Sequence, residues 1–280
     1  MASTITGGIS KRIVGKVVHY AIAIIAIVFF AFPLYWLLTL SFKTRLEVLD
    51  PSKLGFTPTL DNYLIMIRHW GIDRYLWNSL AVTLSTIVVS LAVAVPAAYS
   101  LARFDYKGKE SLAFWMISLR MLPAMSAVIP FYLIANLLNL FDTHLILVVA
   151  YMTFNVPFSV WMLRGFFAAV PRDYEEAAMV DGVSRFGAFL RTTLRLASAG
   201  VAATAILCFI QSWNEFALAL FLTGVQAKTL PPAVTFFMTS VGVKWGELSA
   251  TGVVVTIPVL IFALLSQRYL VRGLTLGALK

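Results

Sequence analysis

Charge is what this chain of 280 residues has least of: 12% of it is charged, 60% is hydrophobic, and the mean hydropathy is +0.86. Soluble domains carry about 25% charged residues. A soluble globule of this length lacks the interior to hide so much apolar surface, so lipid must replace water around much of the chain. Cysteine is nearly absent too. Cys208 stands alone in an apolar run, which excludes an internal disulfide or a thiolate metal site. The histidines, His19, His69 and His144, stand far apart without metal-ligand spacing, so no metal or other cofactor is expected. No phosphate loop of the form G-x-x-x-x-G-K-[ST] occurs; Gly108-Lys109 is the nearest fragment, and Arg103 occupies the place of the first glycine. The nucleophile elbow G-x-S-x-G is missing as well. These absences exclude ATP hydrolysis by the chain itself and argue against an enzyme. The net charge of +9 does not signal nucleic acid. The basic residues are spread between apolar runs, and a one-sided excess of Lys and Arg beside a membrane produces the same balance.

What is present is a series of long apolar runs. Crossing the hydrocarbon takes about 20 mainly apolar residues as a helix, and six segments qualify: 17–42, 76–102, 111–139, 145–163, 196–225 and 248–267. Alternating ten-residue segments are absent, which argues against a barrel. The expectation is an all-α polytopic membrane protein of six spans, one domain over 1–280. Lys11, Arg12 and Lys16 precede the first run as in a secretory signal, but a cleavable core has about 7–15 residues and this run is longer. It should stay. With the N-terminus inside, the 22 Lys and Arg divide into fourteen inside, seven outside and Arg120 within the third span. Both termini are therefore expected in the cytoplasm. Pro33, Pro96, Pro123, Pro130, Pro157 and Pro258 fall within spans. They fit either the general frequency of proline in membrane helices or a part in a conducting path.

The longest connection on the inside, 164–195, is the most informative stretch. Asp173 is placed to cap a helix, with Glu176 three residues on as in a capping box. Ala177, Ala178 and Met179 favour helix, Gly182 can end it, and Ser184 can cap a second helix through Phe186, Phe189 and Leu190. Two short helices with a sharp turn should result. A merely topogenic basic loop is the plain alternative.

Glu176-Ala177-Ala178, two residues, then Asp181-Gly182 resembles the "EAA" signature of ABC importer permeases. Arg120-Met121-Leu122-Pro123, Trp213-Asn214-Glu215-Phe216 and the tail from Gln267 to Ala278 are similar to segments of the sugar-importer branch, the group that includes the smaller maltose-importer permease. The resemblance implies the type I importer permease fold and an inner-membrane location in a bacterial or archaeal cell. It also implies a second permease subunit, two ATP-binding subunits and an extracytoplasmic solute-binding protein as partners, besides membrane lipid. In that family the loop docks on the ATPase, so the resemblance assigns ATPase coupling to Glu175, Glu176, Ala177, Ala178, Asp181 and Gly182. The family pattern continues with prolines where this chain has Leu194-Arg195-Leu196 and Ala199.

A charge near the bilayer centre costs at least about 2.5–3.5 kcal/mol, so Arg120 and Glu215 should face protein or water. With Asn214 they either line the translocation path or bond to neighbouring helices. The competing function is an ion-coupled secondary carrier, which would usually show intramembrane acids or broken helices in corresponding halves. Glu215 is the single acid within a span. A non-transporting assembly subunit, the third class, would have no need of a docking loop.

Overall fold

Apolar runs bounded by charges and turn residues become helices throughout the chain. The computed structural model describes the backbone of residues 3–50, 55–240 and 242–278, and the side chains of 15–50, 55–240 and 242–265. The side chains of Lys11 and Arg12 and of the tail motif 267–278 lie outside the described residues. In order, the helices are α1 (Ser3–Phe42), α2 (Arg45–Val48), α3 (Asp61–Arg68), α4 (Ile72–Arg103), α5 (Lys109–Ser118), α6 (Ala124–Leu137) and α7 (His144–Ala169). Then follow α8 (Asp173–Val180), α9 (Arg185–Ala188), α10 (Leu194–Leu196), α11 (Ser198–Trp213), α12 (Ala217–Leu222), α13 (Leu230–Ala233) and α14 (Trp245–Ala278). Between α13 and α14, β1 (Met238–Thr239) and β2 (Gly242–Val243) form a two-stranded antiparallel hairpin with Met238 opposite Val243.

Four helices are long and apolar enough to cross a membrane: Gly15–Phe42, α4, α7 and Trp245–Leu265. Two bent helix pairs raise the total to as many as six when each pair is counted as one span. The third expected span is not continuous, as α5 and a 3₁₀ turn at Leu119–Met121 meet α6 at 94°. Proline explains the break. The residue before a proline is driven from helical backbone, and Leu122 is extended at ψ 125° before Pro123, which takes the N-cap place of α6. Pro33, Pro96, Pro130, Pro157 and Pro258 lie inside helices that continue past them. The fifth expected span also breaks. A bend of 73° separates Arg185–Leu196 from α11, and residues 214–216 interrupt α11 and α12.

The chain divides into two compact units, Met1–Trp70 with Phe237–Val254, and Gly71–Phe236 with Val255–Lys280. In the first, Asn62 Nδ2 donates to the carbonyls of Ser41 (2.9 Å) and Lys43 (2.8 Å), supplying partners to the open end of α1. Lys43 lies between the rings of Trp36 and Phe56, 5.6 and 5.7 Å from their centres.

The second unit is organised by α4 against α7. One apolar cluster joins Val82 of α4, Val128 and Ala135 of α6, Leu147 and Tyr151 of α7, and Leu218 and Leu222 of α12. Another joins Ala94, Ala98 and Tyr99 of α4, Ala113 of α5, Leu163 and Phe167 of α7, and Phe189. Lipid gives helices no hydrophobic reason to associate, so close approach of small residues and hydrogen bonds between helices hold the pair. Ala94, Ala98, Ala150, Ser90 and Ser159 are fully buried. α11 meets α7 at Gly200, where a Cβ would run into the Phe166 ring. Asn155 Nδ2 donates to Ser212 Oγ at 2.8 Å, and Trp213 Nε1 to the Val255 carbonyl at 3.1 Å.

Candidate functional site

The loop between α7 and α11 forms two short helices and a tight turn. The first is α8. Asp173 is its first helical residue rather than its cap; the N-cap place falls on Arg172, whose helical backbone (φ −66°, ψ −28°) begins the turn straight after Pro171 and leaves no side-chain cap. The far end closes as expected. Gly182 adopts φ +84°, the left-handed conformation that glycine enters without strain. Its N–H donates to the Met179 carbonyl (3.0 Å) and the Val183 N–H to that of Ala178 (3.1 Å), the paired closure of a glycine-terminated helix. Ser184 Oγ then accepts from the Gly187 N–H at 3.2 Å and starts α9. Near where the family pattern has prolines, this chain carries Arg195 and Ala199 and runs through a π turn (Phe189–Thr193) and α10 to α11.

The six residues assigned to this loop by resemblance divide between two faces. Glu176, Ala177, Asp181 and Gly182 are exposed and Ala178 is half-buried. Around them Tyr174, Phe186 and Leu190 are exposed as well, and Val180 is 87% exposed, so an apolar surface lies open on this loop. Glu175 turns the other way and is 6% exposed. Its Oε1 pairs with Arg103 Nε at 2.8 Å and accepts from Thr193 Oγ1, while its Oε2 accepts from Tyr99 Oη at 2.8 Å. Arg103 also donates to the Val170 carbonyl at the end of α7 (2.8 Å). Burial pushes the Glu175 carboxyl up, but the donors from Thr193, Tyr99 and Arg103 outweigh it and hold the group below the ordinary glutamate range. Leaving one partner of such a buried pair alone costs about 3–5 kcal/mol. Tyr99, Arg103 and Thr193 had no site signal in the sequence; Arg103 marked only the end of a span.

Arg120 sits at the 94° bend, and Asn214 and Glu215 in the interruption between α11 and α12. Arg120 and Glu215 line one cavity of about 630 Å³, walled by α5, α6, α7, α11 and α12, together with Trp115, Phe131, Thr153 and Gln211. No ion pair joins them. The Arg120 guanidinium lies 4.4 Å from the Phe158 ring centre. Glu215 Oε1 accepts the Leu218 N–H at 2.7 Å and so caps α12. Asn214 instead turns back on its own helix, donating to the Ile210 carbonyl at 2.7 Å. The arrangement offers a free donor group and a carboxylate on an aromatic wall. It holds no nucleophile–base pair, and among the described residues no His, Cys, Asp or Glu cluster could hold a metal.

At the opposite end of α7 a second polar cluster fixes a connection. Asn78 Nδ2 donates to the carbonyls of Gln226 (2.8 Å) and Lys228 (2.9 Å), and Asn78 Oδ1 lies 2.9 Å from His144 Nε2. Ser79 Oγ accepts from the Leu230 N–H at 2.7 Å.

Comparison with known proteins agrees with this architecture. Residues 90–276 match the family described as "Binding-protein-dependent transport system inner membrane component". The trehalose transport system permease protein SugB of Mycobacterium tuberculosis is 37% identical over 251 residues, 89% of this chain and 92% of that one. The trehalose/maltose transport system permease protein MalG of Thermococcus litoralis is 33% identical over 92% of this chain and 94% of its own length. Among solved structures, a chain of a bacterial ABC transporter involved in the import of the acidic polysaccharide alginate superposes with a TM-score of 0.76. It is 22% identical, with 93% of this chain and 97% of that chain covered. Broken membrane helices also occur in ion-coupled carriers, but nothing in these comparisons favours one. The chain belongs to the inner-membrane components of binding-protein-dependent transport systems, the permease subunits of ABC importers, which leave ATP hydrolysis to a separate subunit.

Proposed function

We propose that this chain forms half of the translocation pore of an ATP-driven carbohydrate importer and receives force through the exposed end of α8. Its complement is a second permease chain, two ATP-binding subunits and an extracytoplasmic solute-binding protein. Both termini and the α8–α10 loop lie in the cytoplasm, and the lipid-facing helices lie in the cell membrane. The observation that carries the reading is the surface of Glu176, Ala177, Val180, Asp181 and Gly182, exposed on a helix whose opposite side is anchored. Small alanines allow a helix to seat closely in a groove, and the left-handed glycine fixes the angle to α9.

ATP binding closes the ATPases, their movement shifts α8, and the spans turn the pore outward to receive solute; hydrolysis reverses the cycle. The carbohydrate class is supported by the names of the sugar-importing relatives and by the aromatic, hydrogen-bonding wall around Arg120 and Glu215. Reconstitution with the partner subunits in liposomes tests the proposal. ATP-dependent uptake of a labelled sugar should require every partner, and Gly182→Pro or Glu176→Lys should abolish it while membrane insertion persists. Uptake that survives both substitutions contradicts the assignment of the loop.

A further inference from the structure

Glu175 is the single buried residue of α8. The rest of that helix is exposed or half-buried, so this carboxylate is the buried polar tie between α8 and the spans, beside a longer bond from Arg172 to the Arg103 carbonyl (3.4 Å). The carboxylate does not bond within its own helix. It reaches Tyr99 and Arg103, which stand one helical turn apart at the end of α4, and Thr193 in the π turn that leads to α10 and α11. Arg103 in turn holds the Val170 carbonyl at the end of α7. Aromatic packing closes the junction: the Tyr99 ring lies 4.2 Å from that of Phe189 and 6.4 Å from that of Phe167, centre to centre.

We propose that Glu175 is a positioning residue for coupling: through Tyr99, Arg103 and Thr193 it makes α8, α4 and the end of α7 move as one body. The inference rests on the docking function assigned above to the exposed side of α8. It gives the two adjacent glutamates opposite tasks, Glu176 outward toward the ATPase and Glu175 inward toward the spans. Without the buried pair, a displaced α8 would pull less directly on α4. The buried pair converts the same displacement into movement of a 32-residue helix that packs along α7. Buried, charge-assisted hydrogen bonds suit this role because they are short, directional and costly to break.

The test measures sugar uptake and ATP hydrolysis in the same vesicles, on the full complex with its partner permease, ATPases and binding protein. Glu175→Gln should leave the ATPases bound and lower the sugar moved per ATP about tenfold, the order set by one charge-assisted hydrogen bond. Tyr99→Phe and Thr193→Val each remove one donor and keep the pair with Arg103, so they should lower the ratio by less. These two decide the matter if Glu175→Gln fails to assemble. An unchanged ratio in assembled complexes, or uptake and hydrolysis falling in proportion, overturns the proposal and leaves Glu175 a structural contact. Val180→Asp, on the exposed face, reports on docking separately. It should release the ATPases, and their retention would overturn the docking assignment whatever the Glu175 series shows.

Discussion

Asp142 holds Gln226, 84 positions further along the chain: its Oδ2 accepts the Gln226 N–H at 2.9 Å. The same oxygen accepts from Val225 (3.0 Å), and Oδ1 accepts from Ala227 (2.9 Å). Gly224 leaves the space, since a Cβ there would sit 3.0 Å from the carboxylate. Burial pushes the Asp142 carboxyl up, but the N–H groups of Ala227, Gln226 and Val225 bring it below the ordinary aspartate value of 3.8. A carboxylate with a lowered pKa stabilises the fold above its unfolded value, and that contribution fades as pH falls through the folded one. Asp142→Asn should lower stability by about 1–3 kcal/mol near neutral pH. In detergent melting curves the gap to the unsubstituted protein should hold from about pH 5 to 8 and shrink below 3.8. A gap independent of pH would contradict the ionised staple.

Gly200 is required by its neighbour. Gly200→Ala drives a methyl group into the Phe166 ring, and overpacking of this kind costs about 1–3 kcal/mol. Melting temperature in detergent should fall, and Phe166→Ala combined with Gly200→Ala should cost less than the sum of the two. Strict additivity would place the strain elsewhere.

The breaks at Arg120 and Glu215 predict solute handling. Gln can still accept the Leu218 N–H, so Glu215→Gln should keep α12 capped while removing the charge from the cavity. Arg120→Met should likewise keep the contact with Phe158 while removing the donors. Each should reduce uptake roughly tenfold, the order of one lost hydrogen bond to a charged group, with the ATPases still bound. Normal uptake in both would remove the cavity from the path.

Gly182→Ala tests the turn more gently than proline. A β-carbon at φ +84° costs about 1–2 kcal/mol, so the angle between α8 and α9 should loosen. ATP-driven uptake should fall by several-fold while ATPase binding weakens. An unaltered uptake would show that the angle does not matter.

Much of this organisation was legible in the sequence. Apolar length picked out the four unbroken spans and the two bent pairs, because a bilayer imposes a length that composition must meet. Gly182 and Ser184 gave the ends of the two short loop helices, since capping is local chemistry between residues a few positions apart. Breaks in the third and fifth spans were not read, although the segments Arg120–Pro123 and Trp213–Phe216, which contain two of them, stood out; the bend before α11 carried no such mark. Apolarity counts residues and is blind to a bend, and only Pro123 among the span prolines coincides with one. The orientation of Glu175 escaped for a different reason. Its partners Arg103 and Tyr99 are 72 and 76 positions away, and nothing in the loop itself says which of two neighbouring glutamates turns inward. Asp142 was silent in the same way, its acceptors being filled by backbone N–H groups 83 to 85 residues on.

The central claim is that the exposed end of α8 seats on an ATPase, and site-specific crosslinking tests it most directly. Cys208 is the single cysteine and is buried, so Val180→Cys in a Cys208→Ser background gives one addressable thiol. Paired with cysteines placed along the groove of the ATPase, it should form a disulfide in the assembled complex, with a yield that changes when ATP is added. If position 180 crosslinks to no ATPase, or is labelled by a membrane-impermeant thiol reagent from outside intact cells, the account is contradicted.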